Sequence, residues 1–103
     1  MPIMNHKQTL EQMGGIGRLT AMIGAYNFVK HDDLLQFRFK AGSKANYVQI
    51  RLNEWDLYDV TIGKTSNGPK RGYQEKVIDF HENLYAEMLI PNFEKVTGLY
   101  LTM

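Results

Sequence analysis

The chain has 103 residues, 44% of them hydrophobic and 22% charged, with a formal net charge of +1. That is one domain's length of chain, able to bury a modest core, and too little charge for a general polyanion binder. It contains no cysteine, which excludes a disulfide scaffold, a thiolate zinc site, an iron–sulfur cluster and a cysteine nucleophile.

Residues 9–24 predict a helix. Thr9 with Gln12 fits a capping box, and Leu10, Met13, Ile16, Leu19 and Ile23 form one apolar stripe. Gly14, Gly15 and Gly17 interrupt the stripe. Each costs about 1 kcal/mol against alanine in a helix interior, so a break is expected near Gly14-Gly15, with Gly24 as the terminal cap. His31-Asp32-Asp33 reads as a polar turn ahead of the first strand.

Leu35, Phe37 and Phe39 then alternate with Gln36, Arg38 and Lys40, and Val48, Ile50 and Leu52 with Tyr47, Gln49 and Arg51. The period of two predicts strands with one buried face, joined as a hairpin through residues 41–46. Residues 53–56 read as a corner or bulge, and 57–63 as a third strand with Tyr58, Val60 and Ile62 on one side. Residues 64–72 are dense in turn formers and predict a loop. Residues 73–80 predict a fourth strand, less clean because Val77 and Ile78 are adjacent. Residues 84–97 predict a final helix, capped by Asn83 and Gly98 and kinked or split at Pro91.

The order is α, three to four strands, α. It predicts a two-layer α+β domain over residues 1–103, with an N-terminal helix, a three- to four-stranded antiparallel sheet and a C-terminal helix. Phe37, Phe39, Val48, Ile50, Tyr58, Val60, Leu89 and Phe93 are expected to share its core. Residues 1–8 lack the apolar stretch of a signal peptide, and no apolar run approaches the ~20 residues of a membrane span. The expectation is a soluble cytoplasmic protein with no membrane partner.

Few residues suggest chemistry. Gly15-Ile-Gly17 lacks both the preceding strand and the following Gly-Lys-Ser/Thr of a phosphate loop. Asp79, His81, Glu82 and Glu87 have the donor types of a cation site, but helix-entry capping explains them more simply. Ser43 and Ser66 have no triad spacing. The expectation is a protein that is not an enzyme and has no metal or cofactor.

The strongest surface pattern is the outer side of the first hairpin. There Arg38, Lys40, Tyr47 and Arg51 are expected to project together, with Lys44 in the connecting loop and Lys70 and Arg71 in the later one. Such a patch suits phosphates, an acidic protein surface or plain solvent. Residues 1–53 carry +4 and residues 54–103 carry −3. That asymmetry suggests an acidic partner or head-to-tail self-association. The open sheet edges add the expectation of a homodimer.

Taken together, Gly14-Gly15, Ala21-Met22, Gly24-Ala25, Asn27-Phe28-Val29, Ala45-Asn46-Tyr47-Val48, Asp56-Leu57-Tyr58-Asp59-Val60 with Gly63, Tyr85-Ala86 and Thr97-Gly98-Leu99-Tyr100 form a distinctive set. Through them the chain resembles a family of small proteins of bacteriophages and bacterial mobile elements, to which no activity is assigned. The resemblance implies a non-enzymatic interaction module working in the bacterial host cytoplasm. Its expected partner is a host protein or nucleoprotein complex, and its expected role includes inhibition of a defence system of the CRISPR type. A small nucleic-acid-binding domain using the basic face, and a self-assembling structural protein, are the alternatives.

Overall fold

Glycine divides the first helical stretch as its sequence predicts. The computed structural model describes residues 3–41, 44–68 and 72–101. In it α1 (His6–Gln12) and α2 (Ile16–Ile23) are separate helices. Between them Gly14 and Gly15 take φ of +107° and +90°, values that side chains with a Cβ rarely tolerate. The first cap differs from expectation. Asn5, not Thr9, starts α1, its Oδ1 accepting the Gln8 N–H at 3.1 Å. Thr9 lies inside the helix, fully buried, its hydroxyl 3.2 Å from that of Tyr58.

Five strands follow: β1 (Tyr26–His31), β2 (Leu34–Arg38), β3 (Tyr47–Leu52), β4 (Tyr58–Gly68) and β5 (Gly72–Leu84). They form one antiparallel sheet in the order β1-β2-β3-β4-β5. The α+β class, the helix before the sheet and the helix after it are as predicted, but the strand count is five. The additional strand is β1. Asn27 sits at φ +58° and the register with β2 shifts between Tyr26 and Val29, so the alternation that marks a strand is broken.

The second correction is residues 64–72. They are not a long loop: β4 runs through Gly68 and β5 begins at Gly72. The register continues as Lys64↔Lys76, Thr65↔Glu75 and Ser66↔Gln74, carrying a two-stranded arm past the end of β3, which stops at the pair Tyr47↔Gly63. Asn46 fastens the base of the arm. Its Nδ2 donates to the Thr65 carbonyl at 2.8 Å, and its Oδ1 accepts the Thr65 N–H at 2.8 Å. The side-chain amide thus extends the ladder by one residue.

A 3-10 turn (Ala86–Met88) leads into α3 (Leu89–Thr97). Pro91 is the third residue of α3, where no intrahelical acceptor awaits its missing N–H, so the helix is neither kinked nor split there. Asn83 is not its cap. It lies in β5 at φ +59°, within an irregularity opposite residues 58–60.

The helices cover one face of the sheet. All eight predicted core residues belong to one buried cluster, joined by Leu19 and Ile23 of α2 and by Ile62. Phe93 of α3 meets Phe39 edge-on with ring centroids 5.3 Å apart. The opposite face has no covering element among the described residues, and it carries the side chains that matter next.

Candidate functional site

Directly paired residues of antiparallel strands share a face. The register therefore sets three rows across the uncovered side: Tyr26, Arg38, Tyr47, Gly63 and Val77; Val29, Gln36, Gln49, Thr61 and Phe80; and Arg51 with Asp59. The structure thus places Arg38, Tyr47 and Arg51 on the side predicted for them. Lys40, just past β2, has its ammonium 5.4 Å from the centre of the Tyr26 ring and joins the same side. Arg38 and Arg51 stand four residues apart along the strands, about 13 Å. That is too far for one small ligand and comfortable for a macromolecular surface.

Two details change the chemistry of the face. First, it is less basic than its cations suggest. Arg51 Nε lies 3.8 Å from Asp33 Oδ2, Arg51 pairs across the ladder with Asp59, and Glu75 sits beyond Tyr47. Second, Tyr47 is not free to stack on a base. It is 2% exposed, lies over Gly63, and donates its hydroxyl to Glu75 Oε1 at 2.6 Å. The aromatic and aliphatic groups that do reach solvent are Tyr26, Val77 and Phe80.

Burial, and then the hydrogen bond to and the negative charge of Glu75, hold the Tyr47 phenol well above the ordinary tyrosine value, near 10. The sign follows from linkage. The unfolded chain releases this proton first, so Tyr47 stabilises fully below about pH 10 and loses that contribution as pH rises further. Phenolate absorbance should show one of the six tyrosines ionising last, and Tyr47→Phe should flatten the alkaline fall in stability. Parallel alkaline curves for the two proteins would remove this assignment.

Lys44 does not join the outer set. It reaches the helix-covered side, where it borders two adjoining hollows. One is lined also by Lys64, Ser66, Gln74 and Lys76, the other by Asp79, His81, Lys95 and Val96, with Ile78 shared between them. Lys70 and Arg71 lie outside the described residues. The lysine groove is invisible in the sequence because Lys64 and Lys76 become neighbours only through the β4–β5 register. Among the described residues, no three His, Asp or Glu side chains come together as metal ligands. Asp79 instead accepts from or donates to His81 Nδ1 at 2.6 Å as an isolated pair. No helix among the described residues is long and apolar enough to cross a membrane.

At the other end of the sheet, the β3–β4 turn is built on Asn53. Its Oδ1 accepts the N–H groups of Trp55 at 2.9 Å and Leu57 at 3.2 Å, while its Nδ2 donates to Asp59 Oδ1 and Asn83 Oδ1. The chain's single tryptophan is held there 72% exposed, between exposed Glu54 and Asp56. No family model, curated protein or solved structure matches this chain.

Proposed function

We propose that the chain is a non-enzymatic protein-interaction module that binds a host protein or nucleoprotein complex through the uncovered sheet face, centred on Arg38 and Arg51. The observation that carries this reading is the composition of that face. Arginines stand among exposed Tyr26, Val77 and Phe80 with no helix over them, and arginine and aromatics are the groups that anchor protein interfaces. The carboxylates of Asp33, Asp59 and Glu75 dilute the field that a phosphate backbone would need, and Tyr47 is withdrawn from stacking. Both favour a protein over a nucleic acid as the contacting surface. The resemblance to proteins of phages and mobile elements supplies the setting: the bacterial cytoplasm, with a defence complex of the CRISPR type or another nucleic-acid-processing assembly as the target.

The test is affinity capture from a bacterial lysate, with and without nuclease, using the wild type and the double variant Arg38→Glu with Arg51→Glu. Neither side chain belongs to the buried cluster, so the variant should fold. A central interface arginine typically contributes 2 kcal/mol or more, about thirtyfold in affinity, so the double variant should capture nothing. Captured protein that survives nuclease supports the reading. Capture that vanishes with nuclease, with affinity falling log-linearly in salt, would transfer the site to nucleic acid. Undiminished capture by the double variant would move recognition off this face.

A further inference from the structure

The lysine groove and the tryptophan turn stand at opposite ends of β4 and are complementary to one another. We infer that the chain self-associates head to tail, the Glu54-Trp55-Asp56 tip of one copy seating in the lysine groove of the next.

The groove supplies half of the argument. Lys44 comes from the β2–β3 connection, Lys64 from β4, Lys76 from β5 and Lys95 from α3, around the apolar side chains of Ile78 and Val96. Lys64 and Lys76 face each other directly across the ladder. Like charges in that position destabilise a sheet, and a carboxylate between them removes the penalty. The tip supplies the other half. It offers two carboxylates flanking an indole, and an indole face suits both a lysine ammonium and an aliphatic floor. Asn53 fixes its backbone through four hydrogen bonds, so little conformational freedom is lost on docking.

The occupant is a second copy because the two halves are on one rigid sheet and cannot meet within it. The turn abuts Tyr58, and the groove begins at Lys64 and follows the arm toward Gly68. The ten steps of β4 span about 33 Å. A net charge of +1 leaves no long-range repulsion between copies. Since the two surfaces differ, the contact is heterologous, and repetition gives an open chain or a ring rather than an isologous dimer. The uncovered sheet face proposed above for partner binding is used by neither surface.

Light scattering at about 0.05 M and about 1 M salt, where the screening length falls from above 10 Å to about 3 Å, tests this. The wild type should exceed the monomer mass of 11.9 kDa at low salt, rise with concentration, and return to monomer at high salt. Two variants separate the surfaces. Lys64→Glu with Lys76→Glu disables the groove. Glu54→Gln with Trp55→Ala and Asp56→Asn neutralises the tip, asparagine being tolerated at the φ of +60° that Asp56 adopts. Each should remain monomeric alone, and their equimolar mixture should recover one contact and stop at a heterodimer. Near-ultraviolet dichroism checks that both fold, and Lys64→Gln with Lys76→Gln replaces the charge reversal should it not. A wild type monomeric at low salt, unchanged association in either folded variant, or a mixture that stays monomeric would overturn the inference. So would a monomeric wild type that binds a labelled single-stranded oligonucleotide through Lys64 and Lys76, which would assign the groove to phosphates.

Discussion

Phe93→Ala is expected to lower the unfolding free energy by about 3–5 kcal/mol, the range for emptying a buried phenylalanine site. Phe93 is 1% exposed and reaches from α3 to the Phe39 ring, at an interplanar angle of 72°. It and Leu89 are the fully buried anchors of that helix, so its loss should loosen α3 as a unit. Since a domain of this size has about 5–15 kcal/mol to lose, the variant should be near unfolding at physiological temperature. Trp55→Ala, at a side chain mostly in solvent, should cost almost nothing in the same urea titration. Similar midpoints for the two variants would mean that α3 does not close the core.

Gly63→Ala should be nearly as damaging, although it adds only a methyl group. A Cβ built at Gly63 would lie 2.5 Å from the Lys76 carbonyl oxygen, 2.6 Å from the Tyr47 hydroxyl and 2.8 Å from Tyr47 Cε1. The carbonyl is backbone and cannot swing aside, so β5 must shift and Tyr47 must leave its bed. Overpacking of this kind costs about 1–3 kcal/mol, and displacing Tyr47 also strips Glu75 of its donor. The strain is shared between a ring and a backbone atom, so Gly63→Ala with Tyr47→Ala should recover part of the loss, a non-additivity that a double-mutant cycle measures. An unperturbed stability for Gly63→Ala would show that the Tyr47 ring does not lie over this position.

These two sites also illustrate what the sequence makes legible. β2 and β3 are plain in it because central strands with one covered face alternate strictly. Phe37, Phe39, Val48 and Ile50 point to the helices, and Gln36, Arg38, Gln49 and Arg51 away. β5 is obscure for the opposite reason. Its register shifts between the pairs Gly63↔Val77 and Ile62↔Asp79, so Ile78 is an extra residue and the facing inverts there. β1, an edge strand with its own irregularity, is hidden likewise. Residues 64–68 carry loop-type composition because an arm projecting beyond the core has little apolar surface to bury.

The candidate sites follow the same division. Arg38 and Arg51 are legible because they sit on regular strands. That Tyr47 is buried is not, since it depends on a missing Cβ at Gly63, a partner across the ladder. Lys44 is legible as a cation but not as a member of the groove, which exists only once α3 and the arm are in place. Trp55 stands out as the lone tryptophan, yet only the Asn53 hydrogen bonds show that it is presented rather than loose.

The coincidence of strand order with chain order has a consequence for how the domain comes together. Every rung of the sheet joins consecutive segments, so each hairpin can close over a short loop at small entropic cost. The low sequence separation of those contacts favours rapid assembly. The helices are the exception. α1 is tied to β4 by Thr9 and Gln12 meeting the Tyr58 hydroxyl across 49 and 46 residues, and α3 packs back on Phe39. Assembly is therefore a fast local zippering completed by two distant clasps. A backbone cut in any one turn would leave two fragments, neither holding both clasps, which makes a sheet built piece by piece behave as an all-or-none object.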